Sequence, residues 1–485
     1  MSSSVASWRR VGGSYERPLG PSEVAYFAGS ADGAGDMALH LTLSSLPELF
    51  LPDRVATAWA CLRARHPLLA SRLAVRDGAE LDVYFKYPHP ASAVDALDDA
   101  RDALSYNSLT KDELFENHLS GPRSLSETRL SHLTISTTTS STTASSPPNR
   151  TFSLFLTIPH FAGDGMTLNA LTHELVLLLS KPKSLQADEL DKALTVAPTR
   201  LPLSLEDQLP RPVTSFQRAA QAVDYQLRLS REVGGHVLPR QERGPKKTVM
   251  KEIELDEHTT KRILQRCKKE GVTINSALFA LVAMAWAAIT PGGLEPDLPI
   301  LMYSALNVRP QLPPSKASDA FLAISYFTVS LPAFLPLPSS RKGRFWQRAR
   351  SVRAQILRAS TSQLLVSRCL AMSDERQARA MKRPAPFREI VKNSAPSKAL
   401  CGVTPLGNLD RTYTHGQYAP GLELLTLSIT SRQRQGGFLL GSHTFKGRLW
   451  FQMTWDEYGF EEGALERFWA ELWKLLVGYC TDAEA

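Results

Sequence analysis

His160 has the clearest chemical potential in the chain, standing first in the string HFAGDG that runs from His160 to Gly165. A neutral imidazole, with an ordinary pKa of about 6.5, can take a proton from an alcohol or amine as that group attacks a carbonyl carbon. The small residues Ala162, Gly163 and Gly165 let the backbone turn tightly and let a ligand approach it. Asp164 sits in the same turn and is too constrained there to be a second catalyst. A carboxylate stripped of water needs a cation, so its expected task is to hold the loop through a buried positive partner. A lone histidine ahead of a turn can also be a cap or a packing residue, and spacing alone leaves both readings open. No GxSxG elbow argues for a nucleophilic serine. The cysteines (Cys61, Cys267, Cys369, Cys401, Cys480) lack the paired spacing of a zinc site or a disulfide framework and read as reduced, mostly buried thiols; no metal is expected.

The elements around this string must position it. Residues 151–159 (TFSLFLTIP) have the aromatic and β-branched content of a buried strand. Residues 166–179 (MTLNALTHELVLLL) repeat apolar positions at three- and four-residue steps, as a helix packed on a sheet does. Strand, turn and helix is therefore the expected local architecture. Earlier, Val55, Trp59, Cys61 and Leu62 form a helical stripe that His66-Pro67 ends, and residues 81–87 and 132–135 read as strands. The Ser/Thr-rich tract 136–148 is expected to be a surface loop. From 180 to 212 prolines multiply and periodicity fades, which marks a connection between lobes; a helix over 215–232 follows, ending at Gly234-Gly235.

The second half opens with a strand over 247–255. Asp256 caps a helix that exits at Gly271, and Thr273 or Asn275 caps a run (276–289) that is apolar on every side and stops at Pro291. Residues 298–306 read as a buried strand ending in Asn307-Val308-Arg309-Pro310. An apolar stretch (321–335), a basic helix (345–358) and a loop with turn chemistry around Thr404-Pro405-Leu406-Gly407 come next. Two strands (424–431, 448–455) and a helix from Glu462 close the chain. Each half mixes strands and helices, the α/β or α+β pattern.

At 485 residues the chain exceeds what one core usually organises, and two large lobes are expected. The net charge of 56 − 48 = +8 is mild for this length and gives no nucleic-acid footprint. Arg341, Lys342, Arg344, Arg348, Arg350, Arg353 and Arg358 read as a solvated helix face in preference to a site for phosphates. No segment reaches the roughly 18 apolar residues that cross a bilayer, and MSSSVASWRR lacks the apolar core of a secretory signal, so no membrane span and a cytoplasmic location are expected. His66 and His415 are read as structural.

HFAGDG resembles the HxxxDG motif of the acyltransferase superfamily that includes chloramphenicol acetyltransferase, plant BAHD acyltransferases, alcohol acetyltransferases and condensation domains of nonribosomal peptide synthetases. Glu16-Arg17-Pro18-Leu19-Gly20 with Glu23 resembles the opening of fungal alcohol and trichothecene O-acetyltransferases, including the 15-O-acetyltransferase type. RARHPLL (63–69) is similar to a helix end of condensation domains, Asn307-Val308-Arg309-Pro310 to the N-x-R-P that follows a strand, and VTPLGNL (403–409) to an S-N-x-G loop. Pro159 stands where condensation domains carry a second histidine, and the plant DFGWG motif is missing, with His415-Gly416-Gln417-Tyr418 in its region.

The resemblance implies two chloramphenicol-acetyltransferase-like lobes, each a mixed sheet with flanking helices, around an active-site tunnel. It places an N-terminal lobe at 1–195, a crossover at 196–245 and a C-terminal lobe at 246–485. It also implies His160 as general base, Asp164 and Gly165 as structural residues of the site, and an Asp164–Arg309 ion pair between lobes. Thr404 is the candidate for an oxyanion or acceptor contact. The implied activity is acyl-CoA-dependent O-acyl transfer, acetyl by default, to a hydroxyl of a small secondary metabolite. Acyl-CoA is a co-substrate in this reading, with no tightly bound cofactor, and a monomer is expected. Two alternatives are a condensation-like enzyme fed by a carrier-protein thioester and a non-catalytic binding protein of the same fold.

Overall fold

The computed structural model describes residues 7–481 apart from 31–32, 77–81, 138–148, 212–213, 231, 233, 291, 315–319, 335–339 and 382–398. Most of the expected Ser/Thr-rich loop and the Pro291 stop lie outside the described residues. Two large sheets organise the rest. The first runs in the order Glu423–Ser431, Asp36–Ser45, Arg150–Pro159, His132–Ser136, Leu104–Asn107. The second runs Ile324–Leu331, Ile300–Asn307, Cys401–Asn408, Phe438–Phe445, Arg448–Asp456, Thr248–Leu255. A smaller sheet joins Arg9–Val11, Ser14–Pro18, Asp82–Pro88 and Arg72–Arg76.

Each large sheet has its own apolar core, because each is covered by helices that bury apolar side chains against it. On the first, helices Pro52–Arg65, Gly165–Ser180 and Lys183–Val196 close over Leu39, Leu41, Leu154 and Leu156 with Trp59, Leu168 and Leu175. On the second, Ile274–Ile289, Arg341–Ser360 and Ala464–Cys480 close over Met302, Leu440 and Phe451 with Leu281, Phe345 and Phe468. A third cluster draws on both halves, with Leu19, Phe85 and Phe161 against Val308, Phe321 and Cys369. The fold is thus two α/β lobes with a shared apolar seam. Among the described residues no single helix is long and apolar enough to cross a membrane.

The structure departs from the sequence reading in several places. Residues 403–407 form no loop: Cys401–Asn408 is a strand, parallel to both Ile300–Asn307 and Phe438–Phe445. Pro405 fits because the register shifts between Pro405 and Gly407, and Gly407 takes a left-handed φ of 79° at the irregularity. The chain also does not divide at 246, since Glu423–Ser431 crosses back to pair with Asp36–Ser45 of the first lobe. Within 180–212, Lys183–Val196 is a helix; Gln186 occupies a buried position of its stripe and donates to the Leu178 carbonyl at 2.7 Å, which disguises the periodicity. The closing segment holds three strands, Phe438–Phe445 having gone unrecognised. In the basic helix, Arg348 is buried and donates to the Pro332 and Ala333 carbonyls, while Arg353 donates to that of Gly271. Arg348 thus serves packing, while Arg341, Arg350, Arg353 and Arg358 are exposed, as a solvated face requires.

Candidate active site

The strand Arg150–Pro159 is flanked on both edges, antiparallel to Asp36–Ser45 and to His132–Ser136. Buried along nearly its whole length, it ends at Pro159, and the turn that follows places His160 at the lobe seam. Asp164 stops the turn by capping the helix Gly165–Ser180, its carboxylate accepting from the Thr167 N–H at 2.9 Å. His160 Nδ1 lies 2.9 Å from the Gly163 carbonyl oxygen. A carbonyl only accepts, so Nδ1 carries the proton and Nε2 keeps its lone pair. Burial lowers the His160 pKa from its ordinary value, with the Asp164 charge and the Gly163 carbonyl opposing it. The imidazole is therefore neutral at neutral pH, the state a general base needs. Gly35 packs against it: with φ of 85°, a Cβ there would come within 3.6 Å of His160 Cβ.

The expected Asp164–Arg309 pair is present. Arg309 Nη1 donates to both carboxylate oxygens of Asp164, at 2.8 and 3.1 Å. Nη2 donates to Thr167 Oγ1 at 2.8 Å and to the Phe321 carbonyl at 2.6 Å, and the guanidinium lies 5.5 Å from the Phe321 ring centre. The Ala323 N–H completes the carboxylate's partners at 2.9 Å. Burial would raise the Asp164 pKa, yet Arg309 and the two backbone donors outweigh it and hold it below the ordinary range. Arg309 reaches this place because Ile300–Asn307 delivers a one-turn helix, Arg309–Gln311, to the seam, where the Asn307 carboxamide oxygen accepts from the Arg309 N–H.

Gly165 begins the helix where the second lobe comes close: a Cβ there would lie 3.1 Å from Leu406 Cδ2. Thr404 sits on that same strand, half-buried, opposite Gly441 of the neighbouring strand. The structure thus brings His160, Asp164, Gly165 and Arg309 together, with the Thr404 strand alongside. His66 and His415 are held by carboxylates, Glu174 at 2.7 Å and Asp410 at 3.1 Å.

Sequence reasoning missed the aromatic wall of the site. The Tyr26 ring lies against the His160 ring, 4.3 Å between centres and tilted by 33°. Its hydroxyl meets that of Tyr326, from the second lobe's edge strand, and Tyr303 meets Tyr326 edge-on at 6.1 Å. Tyr26 rides on the helix Pro21–Ala28, anchored by Arg17, which is fully buried and pairs with Glu23 at 2.8 and 2.9 Å. The Arg17…Glu23 string was the available signal, since a buried bidentate pair one turn from Tyr26 holds that helix in register.

Among solved structures with this arrangement of lobes are an acetyltransferase, a condensation domain and an epimerization domain, and the chain has their two-lobe, chloramphenicol-acetyltransferase-like fold. Among them is the TRI3 trichothecene 15-O-acetyltransferase of Fusarium sporotrichioides, with a TM-score of 0.77 at 12% identity over 98% of each chain. The condensation domain of the Monacolin K polyketide synthase MokA follows with a TM-score of 0.58 at 12% identity, covering 98% of this chain and 99% of the other. Polyketide synthase associated protein 5 of Mycobacterium tuberculosis gives 0.57 at 13%, covering 96% and 99%. At these identities what is shared is the fold. No family profile and no curated protein sequence matches the chain.

Proposed function

We propose that the protein is an acyl-CoA-dependent O-acyltransferase acting on a hydroxyl of a small secondary metabolite, with His160 as general base. The observation that carries this is the Nδ1–Gly163 hydrogen bond, which leaves a neutral Nε2 at the seam between lobes. In the proposed step, the acceptor oxygen attacks the thioester carbonyl while Nε2 takes the hydroxyl proton. The tetrahedral intermediate collapses by breaking the carbon–sulfur bond, and the departing thiolate takes the proton back from the imidazolium. The products are an ester and free coenzyme A, and no covalent acyl-enzyme forms. Asp164 and Arg309 hold the turn and touch neither reactant. Acetyl is the acyl group proposed, in a monomeric, cytoplasmic enzyme. Pro159 ahead of His160 favours a small acceptor over a carrier-bound one.

Release of free thiol from acetyl-CoA in the presence of candidate alcohols tests the reading. His160→Ala is expected to remove about 100-fold or more of the rate, the scale of general-base catalysis. Undiminished transfer by that variant would overturn the base assignment, and turnover only with a carrier-protein thioester would replace the donor. Thr404 is the proposed hydroxyl donor to the oxyanion, and Thr404→Val is expected to lower kcat by about 100-fold, as removing one such donor does.

A further inference from the structure

Outside the turn itself, the Tyr26 ring lies directly against the His160 ring. Its face lies on the imidazole at 4.3 Å, and its hydroxyl is held by Tyr326. Tyr326 is fixed in turn: the Arg376 guanidinium covers its ring at 4.4 Å, and Tyr303 abuts it. Tyr303 can lie there because residue 402 is glycine; a Cβ on Gly402 would come within 2.7 Å of the Tyr303 ring. A chain of contacts therefore runs from the second lobe's sheet through two hydroxyls to the base.

Resting on the function proposed above, we propose that Tyr26 is a positioning residue for His160: its ring fixes the plane of the imidazole, and its face stabilises the imidazolium formed when Nε2 takes the acceptor's proton. Burial makes the neutral base available but penalises the cation that proton transfer creates. A π face in contact with that cation opposes the penalty without adding a charge that would hold the proton permanently. The Tyr26–Tyr326 contact makes the base's orientation depend on the second lobe being in place. Among the described residues, the charged groups around this strand end are committed to other partners. Asp164 is paired with Arg309 in the turn, and Asp36, opposite Pro159 on the adjoining strand, is paired with Arg123. Arg432 donates to the carbonyls of His118 and Gly121, and Arg376 lies beyond Tyr326.

The test is an NMR titration of the His160 ring in the full chain, its resonance assigned by loss in His160→Gln, beside the pH profile of kcat/KM. Tyr26→Leu is expected to lower the His160 pKa by about half to one unit, about three- to tenfold in proton affinity, and to move the acid limb to lower pH. Tyr26→Phe keeps the π face and is expected to restore the pKa, while lowering kcat to the same extent as Tyr326→Phe. Should Tyr26→Leu not fold, Tyr26→Phe with a progressively fluorinated ring keeps the shape and weakens the face, and the pKa is expected to fall with each fluorine. An unchanged His160 pKa in Tyr26→Leu, or across the fluorinated series, overturns the proposal. The titration needs no turnover, so a shifted pKa in a protein whose transfer survives His160→Ala would overturn the base assignment and leave the Tyr26–His160 coupling standing.

Discussion

Asp36 and Asp164 lie on either side of the strand end that carries His160, one opposite Pro159 and the other at the start of the following helix. Both are closed off from solvent and both meet an arginine. Asp36 accepts from Arg123 at 2.6 and 2.8 Å, Asp164 from Arg309 at 2.8 and 3.1 Å. Their pKa values nonetheless move in opposite directions. Burial raises that of Asp36 in spite of Arg123, whereas that of Asp164 is lowered. Two differences account for this. Asp164 also accepts from the Thr167 and Ala323 N–H groups, and the Arg309 side chain is 11% exposed against 31% for Arg123. Fixed backbone donors and a desolvated cation outweigh burial, while a cation facing water is screened. Its surroundings thus favour ionisation of the aspartate that joins the lobes, while burial opposes ionisation of the one inside the first lobe.

The largest effect is expected from Asp164→Ala. It leaves the Arg309 guanidinium buried without its carboxylate, a cost of about 3–5 kcal/mol on denaturant unfolding, with transfer lost as the turn relaxes. Arg309→Lys keeps the charge but loses the fork that also reaches Thr167 and Phe321. About 2 kcal/mol and a clear fall in kcat are expected, and wild-type behaviour would show that charge alone suffices. Acidification separates the two aspartates further. The lowered pKa of Asp164 gives a stability contribution present above the ordinary carboxylate pKa of about 3.9 and lost as the pH falls below it. The raised pKa of Asp36 has the reverse sign, its contribution being present at low pH and lost as the pH rises through the folded value. Asp36→Asn, which keeps the side chain's shape and an acceptor oxygen for Arg123 while removing a charge that burial opposes, is therefore expected to cost less on denaturant unfolding at pH 7 than Asp164→Ala. A loss as large as that of Asp164→Ala would break the contrast.

Much of the site was legible because it is local. An apolar run, small residues and a helical repeat around HFAGDG fix a strand, a turn and a helix within one stretch of chain, and Asn307-Val308-Arg309-Pro310 follows its strand in the same manner. Where the reading failed, the pattern depended on distant partners. Residues 401–408 carry turn chemistry, and only parallel pairing on both edges makes them a strand. Asp36–Ser45 went unnoticed although Leu39, Leu41 and Leu43 alternate along it. Tyr26 offers no chemical pattern of its own; its role exists because an anchored helix sets its ring on His160.

By itself the sequence determined the chemistry available at the end of one strand and the need of Asp164 for a buried cation, since both follow from residue type and local backbone. The tertiary structure decided which aromatic faces the base, that the chain crosses back between lobes, and that Arg309 meets Asp164 along with two backbone donors. Those outcomes rest on long-range packing, where a side chain's surroundings are set by elements hundreds of residues away.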